Sequence, residues 1–298
     1  MAIRDQGYTP YDGDLSKGTA PALVIATTGL SLYWGYLRTK LLFIVLMIMP
    51  VLFLVISFAE RVFTKMFMGG AGAEADKING FYEYAFGYIE IWMLAILLAA
   101  AGCGVVADDM RHRTIQLYFS KPITRLDYVG GKFLSLVMLG GLVTLLPMVI
   151  IGLVRMVVFL PSTSFKGVAA NIALLGLFNV ILLVFMSLVV MALSCLTSRR
   201  GYVVLAFLGT ILVPSVISTI TSLVRKGEPW TDLLSLVGSL AVGLKVMVGY
   251  EGVPQPGELQ AAGLPEYMSW APWVVVATVA LGACAIIHWR TGKLEGIA

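Results

Sequence analysis

An all-α, polytopic membrane bundle is the fold class that this sequence predicts, and three observations point to it. The 298 residues are 59% hydrophobic and only 13% charged, whereas soluble domains run nearer half apolar and a quarter charged. Six apolar stretches come close to or exceed the roughly 20 residues that a helix needs to cross a bilayer core. These runs lack the alternation of barrel strands, and only helices or closed barrels satisfy their backbone in lipid. One transmembrane domain over residues 21–298 is therefore expected, although the length alone would allow two soluble domains.

The chain opens on "MAIRDQGYTPYDGDLSKGTAP", which lacks the apolar core of a signal peptide. A disordered polar tail over residues 1–20 is expected. Over 21–40, Leu23, Ala26, Leu30, Tyr33 and Leu37 recur at near-helical spacing, with Thr28, Ser31, Gly35 and Arg38 between them. The pattern predicts an amphipathic helix in the inner interface, or else an extension of the first span. The spans are expected at Leu41–Phe58, Ala85–Val106, Phe133–Leu160, Ala170–Leu196, Tyr202–Val224 and Pro272–Trp289, with Pro50 and Pro147 kinking the first and third.

Two connections are more than linkers. Residues 61–84 contain "GGAGAEADKING", which reads as a Gly-rich flexible exterior piece. Residues 225–271 contain "WTDLLSLVGSLAVGLKVMVGY", an apolar run interrupted by Gly238, Gly243 and Lys245. A seventh span there would carry Arg290 and Lys293 to the exterior, so a re-entrant or surface-lying helix pair is expected.

Orientation follows the basic residues. With the N-terminus inside, thirteen lie on the cytoplasmic side: Arg4, Lys17, Arg38, Lys40, Arg111, Arg113, Lys121, Arg125, Lys132, Arg199, Arg200, Arg290 and Lys293. Seven lie outside, over longer connections: Arg61, Lys65, Lys77, Lys166, Arg225, Lys226 and Lys245. Both termini are expected in the cytoplasm. Cys103, Cys195 and Cys284 fall in apolar runs without CxxC or Cys/His spacing, which indicates neither a zinc site nor a disulfide framework.

The segment "DDMRHRTIQLYFSKPITRLDYVGGK", Asp108–Lys132, is mixed and basic between two aliphatic runs. Asp108 and Asp109 suit the positive end of a short helix. On that helix Ile115, Tyr118 and Phe119 would share one face, apart from Arg111, Arg113 and Gln116. Pro122 would stop it, and Thr124 with Asp127 has the spacing of a capping box that opens the third span. An exposed aromatic face at this point would suit contact with a protein or with lipid headgroups.

The run "VVADDMRHRTIQLYFSKPITRLDYVGGKF" resembles the loop between spans two and three of ABC-2-type ABC transporter permeases. That family shows an acidic residue, a basic turn, a T-hydrophobic-x-L step and then [ST]-x-P-[IV]-[ST]-R-x-x-[YF]-x-x-[GA]-K. The matching positions are Asp108 or Asp109, Arg111, Arg113, Thr114, Ile115, Leu117, Ser120, Pro122, Ile123, Thr124, Arg125, Tyr128, Gly131 and Lys132. Glycine is common in the family before the Thr, where this chain has Arg113. The resemblance implies that the short helix is a coupling helix seated in a groove of a separate ATPase subunit. Its contact residues would be Asp108, Asp109, Arg111, Arg113, Thr114, Ile115, Leu117, Tyr118, Phe119, Pro122 and Arg125. It also implies an exporter half in a bacterial or archaeal cytoplasmic membrane, paired with a second copy or a related permease and with the lipid bilayer, and no nucleic acid partner. ATP and Mg would be bound by the ATPase, with no cofactor in this chain. The nearest approach to GxxxxGK[ST] is "LDYVGGKF", with Leu126 in place of the first glycine and Phe133 in place of the hydroxyl residue.

Polar residues inside spans often mark a route. Glu90, among Tyr84, Tyr88 and Trp92, reads either as an aromatic-belt residue or as a vestibule carboxylate. Ser215, Ser218, Thr219 and Ser222 share a helical face beside Pro214 that could line a passage or pack helices. Family resemblance favours Glu90 and this face, because spans two and five often border the route. Asn179 reads equally as an interhelical hydrogen-bonding residue. Competing readings are a lipid-modifying enzyme that holds a metal on Asp108 and Asp109, and a channel or scaffold; His112 and His288 add little to a metal site.

Overall fold

The computed structural model describes residues 20–67, 72–115, 118, 123–159, 165–225, 228–248 and 269–295. Among these there is no strand. The helices are α1 (Pro21–Gly35), α2 (Leu37–Phe67), α3 (Gly72–Ala100), α4 (Ala107–Arg111), α5 (Arg125–Gly141), α6 (Leu145–Phe159), α7 (Phe165–Leu196), α8 (Arg200–Val224), α9 (Leu236–Val248) and α10 (Ala271–Glu295). Short 3-10 turns cover Gly102–Gly104 and Pro229–Leu234.

Five stretches are long and apolar enough to cross a bilayer: Leu37–Ile56, Arg125–Val154, Ile172–Leu196, Arg200–Val224 and Ala271–Gly292. Ala85–Ala100 and Gly102–Arg111 make a sixth when taken together, bent by 43°. The expected span Ala85–Val106 is thus broken rather than continuous. The third span is also interrupted, at Leu142–Thr144. Pro147 offers no N–H to the carbonyl of Val143 and crowds it, which accounts for the break. The α2 helix runs on through Pro50.

The centre of the bundle is α7. Its Phe178, Leu182, Phe185 and Val190 share one core with Leu94 and Leu98 of α3, Leu136 of α5, Phe207 of α8 and Leu240 and Leu244 of α9. The outer faces are apolar too: α2 exposes Ile44, Val45, Ile48 and Val55, and α8 exposes Leu205, Val213, Val216 and Ile220. Such faces suit hydrocarbon, where close packing and hydrogen bonds between helices, rather than hydrophobicity, hold a bundle together.

Two expectations are corrected. The helix predicted over 21–40 ends at Gly35, and α2 begins at Leu37. Of the expected face, Ala26 is buried and Leu30 and Tyr33 pack against the core, with Ile25 buried beside them, whereas Leu23 is exposed and Leu37 falls on α2, exposed as well. The Gly-rich piece read as flexible is helical from Gly72 onward, because only its first glycines precede α3 and "AEADKIN" contains ordinary helix formers. The pair formed by Pro229–Leu234 and α9 packs into the bundle: Leu240 and Leu244 have no solvent exposure, and Thr231, Ser235 and Ser239 are buried. With 13 residues, α9 is too short to make a span.

Packing of α1 on α5 depends on glycine. A Cβ on Gly131 would lie 2.7 Å from the Ala22 carbonyl oxygen and 2.7 Å from Ile25 Cβ. One on Gly130 would meet nothing within 4 Å. Burial pushes the phenol of Tyr33, which hydrogen-bonds Ser135 across the same contact, above its ordinary range. Gly131→Ala should therefore lower stability by about 1–3 kcal/mol through overpacking. Gly130→Ala, with open space for its methyl group and a better helix former in place, should keep or slightly raise the melting temperature in detergent.

Candidate functional site

The segment that joins α3 to α5 is held at both ends by neighbouring helices. Where α3 stops, the Arg200 guanidinium donates to the Ala100 carbonyl, satisfying an end-of-helix acceptor. Ser194 of α7 then supplies the next fixed point. Its Oγ accepts from the Val106 amide at 3.0 Å and the Ala107 amide at 2.9 Å, and donates to the Cys103 carbonyl at 3.1 Å. One hydroxyl thus caps α4 in trans and holds the bend. Arg290 of α10 does the converse for α7, with Nε donating to the Cys195 carbonyl at 3.1 Å and Nη2 to that of Leu196 at 3.2 Å.

The α4 helix ends in a Schellman turn. The Thr114 amide donates to Asp109 O at 3.0 Å and the Arg113 amide to Met110 O at 3.4 Å. This requires a left-handed residue, and Arg113 has φ 56°. A non-glycine residue in that region costs about 1 kcal/mol or more. Arg113→Gly should therefore raise stability by about 1 kcal/mol in chemical denaturation, while Arg113→Ala, which also removes the charge, should not.

Asp109 organises the rest. Lys132 Nζ lies 2.6 Å from its Oδ2, Tyr128 donates its phenol to Oδ2 at 2.8 Å, and Thr114 donates to Oδ1 at 3.1 Å. The rings of Tyr118 and Tyr128 stand 5.2 Å apart, and the Lys132 ammonium lies 5.5 Å and 5.8 Å from their respective centroids. The side chains of Lys132 and Asp109 are only 10% and 16% exposed. Beyond them, Thr124 and Asp127 form the capping box that opens α5, with Asp127 N donating to Thr124 Oγ1 at 3.2 Å and Thr124 N to Asp127 Oδ2 at 3.1 Å.

This arrangement redistributes the candidate residues. Arg111, Arg113 and Arg125 are exposed, and Arg125 extends toward Gly292 of α10. Asp108 turns its carboxylate against Gly104. Ile115, expected on an exposed apolar face, is buried, and Tyr118 is half-buried in the cluster. The single continuous helix from Asp108 is likewise interrupted: α4 has five residues, a turn with left-handed Arg113 follows, and Ile115 and Tyr118 are helical again, with the Tyr118 amide donating to Thr114 O at 3.2 Å. Leu117, Phe119 and Pro122 lie outside the described residues. The exposed apolar residue that remains is Leu126, at 82%, close in sequence to Arg125. The sequence assigns no site role to Leu126 or Ser194, marks Arg200 and Arg290 only as inner-side charges, and marks Lys132 as such a charge and as a position of the family pattern.

The intramembrane candidates are largely committed elsewhere. Ser215 donates to Ile211 O, Thr219 to Ser215 O and Ser222 to Thr219 O, all within α8. Ser218 donates to Thr231 O of the Pro229–Leu234 turn at 2.9 Å. Glu90 is fully buried and accepts from Asn179 at 2.7 Å.

A family model described as ABC-2 family transporter protein matches residues 38–287. The chain belongs to the ABC-2 transporter family. The match begins at the start of α2 and ends inside α10. No curated protein matches the sequence. With its apolar helices, this ABC-2 chain is a multi-pass membrane protein.

Proposed function

We propose that the chain is the transmembrane permease subunit of an ATP-driven ABC exporter. A separate ATPase subunit binds ATP and magnesium and docks on the segment between α3 and α5, which faces the cytoplasm along with both termini. The permease works beside a second copy or a related permease in the cytoplasmic membrane of a bacterium or archaeon. The observation that carries this reading is mechanical. Arg111, His112 and Arg113 form an exposed edge where α4 ends, and Leu126 is exposed at the start of α5; the segment between is clamped to α7 by Ser194 and to α5 by Asp109. A push on that edge moves two spans instead of deforming a loop.

A route beside α8 would pass Ser215, Thr219 and Ser222, whose O–H donors are spent on their own helix and whose lone pairs remain for a substrate. Ser218 and Glu90 are engaged inside the protein and do not face such a route. The enzyme reading needs Asp108 and Asp109 together on a metal, but Asp109 is already taken by Lys132 and Tyr128.

Co-purification from solubilised membranes tests the proposal. An ABC ATPase should accompany the wild-type chain and Gly130→Ala, and should be lost with Arg111→Glu combined with Leu126→Asp. An equal yield of ATPase with that double variant would contradict docking at this edge. Retention of no ATPase by the wild-type chain would favour a channel or scaffold.

A further inference from the structure

Glu90 stands on α3 with Phe86 and Leu94 a turn to either side, and has no solvent exposure. Asn179 of α7 donates its Nδ2 to Glu90 Oε2 at 2.7 Å and to the Leu175 carbonyl at 3.3 Å. Glu90 Oε1 and Asn179 Oδ1 are both buried without a hydrogen-bond partner. Each is an acceptor, so neither relieves the other. A single proton relieves both. Bound to Oε1, it makes an acid whose O–H donates to Oδ1, completing a reciprocal acid–amide pair. Exchanging the amide N and O of Asn179 leaves the same need for a proton between the two groups.

The surroundings offer no other source of positive charge among the described residues. Gly87, a turn before Glu90, is packed by Leu244 of α9 and Leu175 of α7. Phe86 is stacked by Phe53 of α2 with ring centroids 5.3 Å apart. Asn179 and Leu175 of α7, Leu244 of α9 and Phe53 of α2 are thus placed close by, and none is titratable. A lone carboxylate in such a place is far more costly than a neutral, fully hydrogen-bonded pair.

We propose that Glu90 and Asn179 form a proton-binding site inside the membrane, in which one proton on the Glu90 carboxyl is shared with Asn179 Oδ1 and joins α3 to α7. The site lies beside α9, whose Leu244 packs against Gly87. Any motion that parts α3 from α7 admits water to the carboxyl, which then gives its proton to that water. The acid–amide pair thus gives this seam a closed state that holds one proton and an open state that has released it.

Infrared spectroscopy of the full chain in detergent at neutral pH reads the protonated carboxyl directly. The wild-type spectrum should contain an acid C=O stretching band that disappears in Glu90→Gln. In Asn179→Leu the band should persist and move to higher frequency, because its O–H has lost its acceptor. Glu90→Gln should fold with the wild-type melting temperature, since its amide N–H donates where the acid did. A wild-type minus Glu90→Gln difference containing only carboxylate bands overturns the proposal. An acid band that stays in place in Asn179→Leu does so as well, as does failure of Glu90→Gln to fold.

Discussion

Asp109→Leu should destabilise the folded chain by about 3–5 kcal/mol, the usual result of removing one partner from a mostly buried ion pair. The loss is large because three donors converge on this carboxylate. Without it, the Lys132 ammonium stays in a site that is nine-tenths closed to solvent. The Tyr128 phenol loses this acceptor as well, while the Thr114 hydroxyl keeps only the Asp109 backbone carbonyl, at 3.3 Å. The two nearby tyrosine faces hold the cation only weakly by comparison. Adding Lys132→Met to Asp109→Leu should recover much of the loss, because the stranded charge is then gone and a methionine fills similar volume. Urea or thermal unfolding of the single and double variants in detergent gives the coupling energy. If the double variant is as unstable as the sum of the singles, the pair does not act as a unit.

Ser194→Ala is expected to have the second-largest effect. Both amides that Ser194 caps belong to residues with almost no exposure, Val106 at 1% and Ala107 at 0%. Neither can turn to water when the hydroxyl is removed. An unsatisfied buried donor costs on the order of 1–3 kcal/mol, and two are left here, together with the Cys103 carbonyl that Ser194 bonds. Ser194→Thr keeps the oxygen and should retain most of the stability. Hydrogen exchange separates a local effect from a global one: the amides of Val106 and Ala107 should lose protection before those of the α7 core. Uniform loss of protection across α7 would mean that the hydroxyl supports the helix rather than the bend.

The spans could be read in the sequence because lipid imposes one rule along the whole chain, and uninterrupted apolar runs have few alternatives. The Thr124–Asp127 capping box was legible for a similar reason, being a local pattern at fixed spacing. The broken second span was less so. Nothing in "AAAGCGVVADD" announces that a serine 88 residues away from Val106 will hold its amide. The Asp109–Lys132 pair was hidden differently. Both residues stood within the resemblance to the family, but a count of inner-side charges treats Lys132 as solvated, whereas the fold turns it inward. Arg113 carried a usable signal, a bulky residue where the family commonly has glycine, and its meaning appears only with the left-handed backbone. Burial of Ile115 and Tyr118 could not be foreseen from spacing, because the turn at Arg113 breaks the helical register on which the expected face relied.

The position of the α4 edge can be tested with a membrane-impermeant thiol reagent. His112 is exposed on this edge, while Cys103 and Cys195 are buried, so Cys284 is the cysteine to remove from the background. His112→Cys in a Cys284→Ser chain should be labelled in inside-out vesicles and protected in sealed right-side-out vesicles. Labelling from the outer side would put the edge beyond the reach of any ATP-hydrolysing partner and contradict the mechanism.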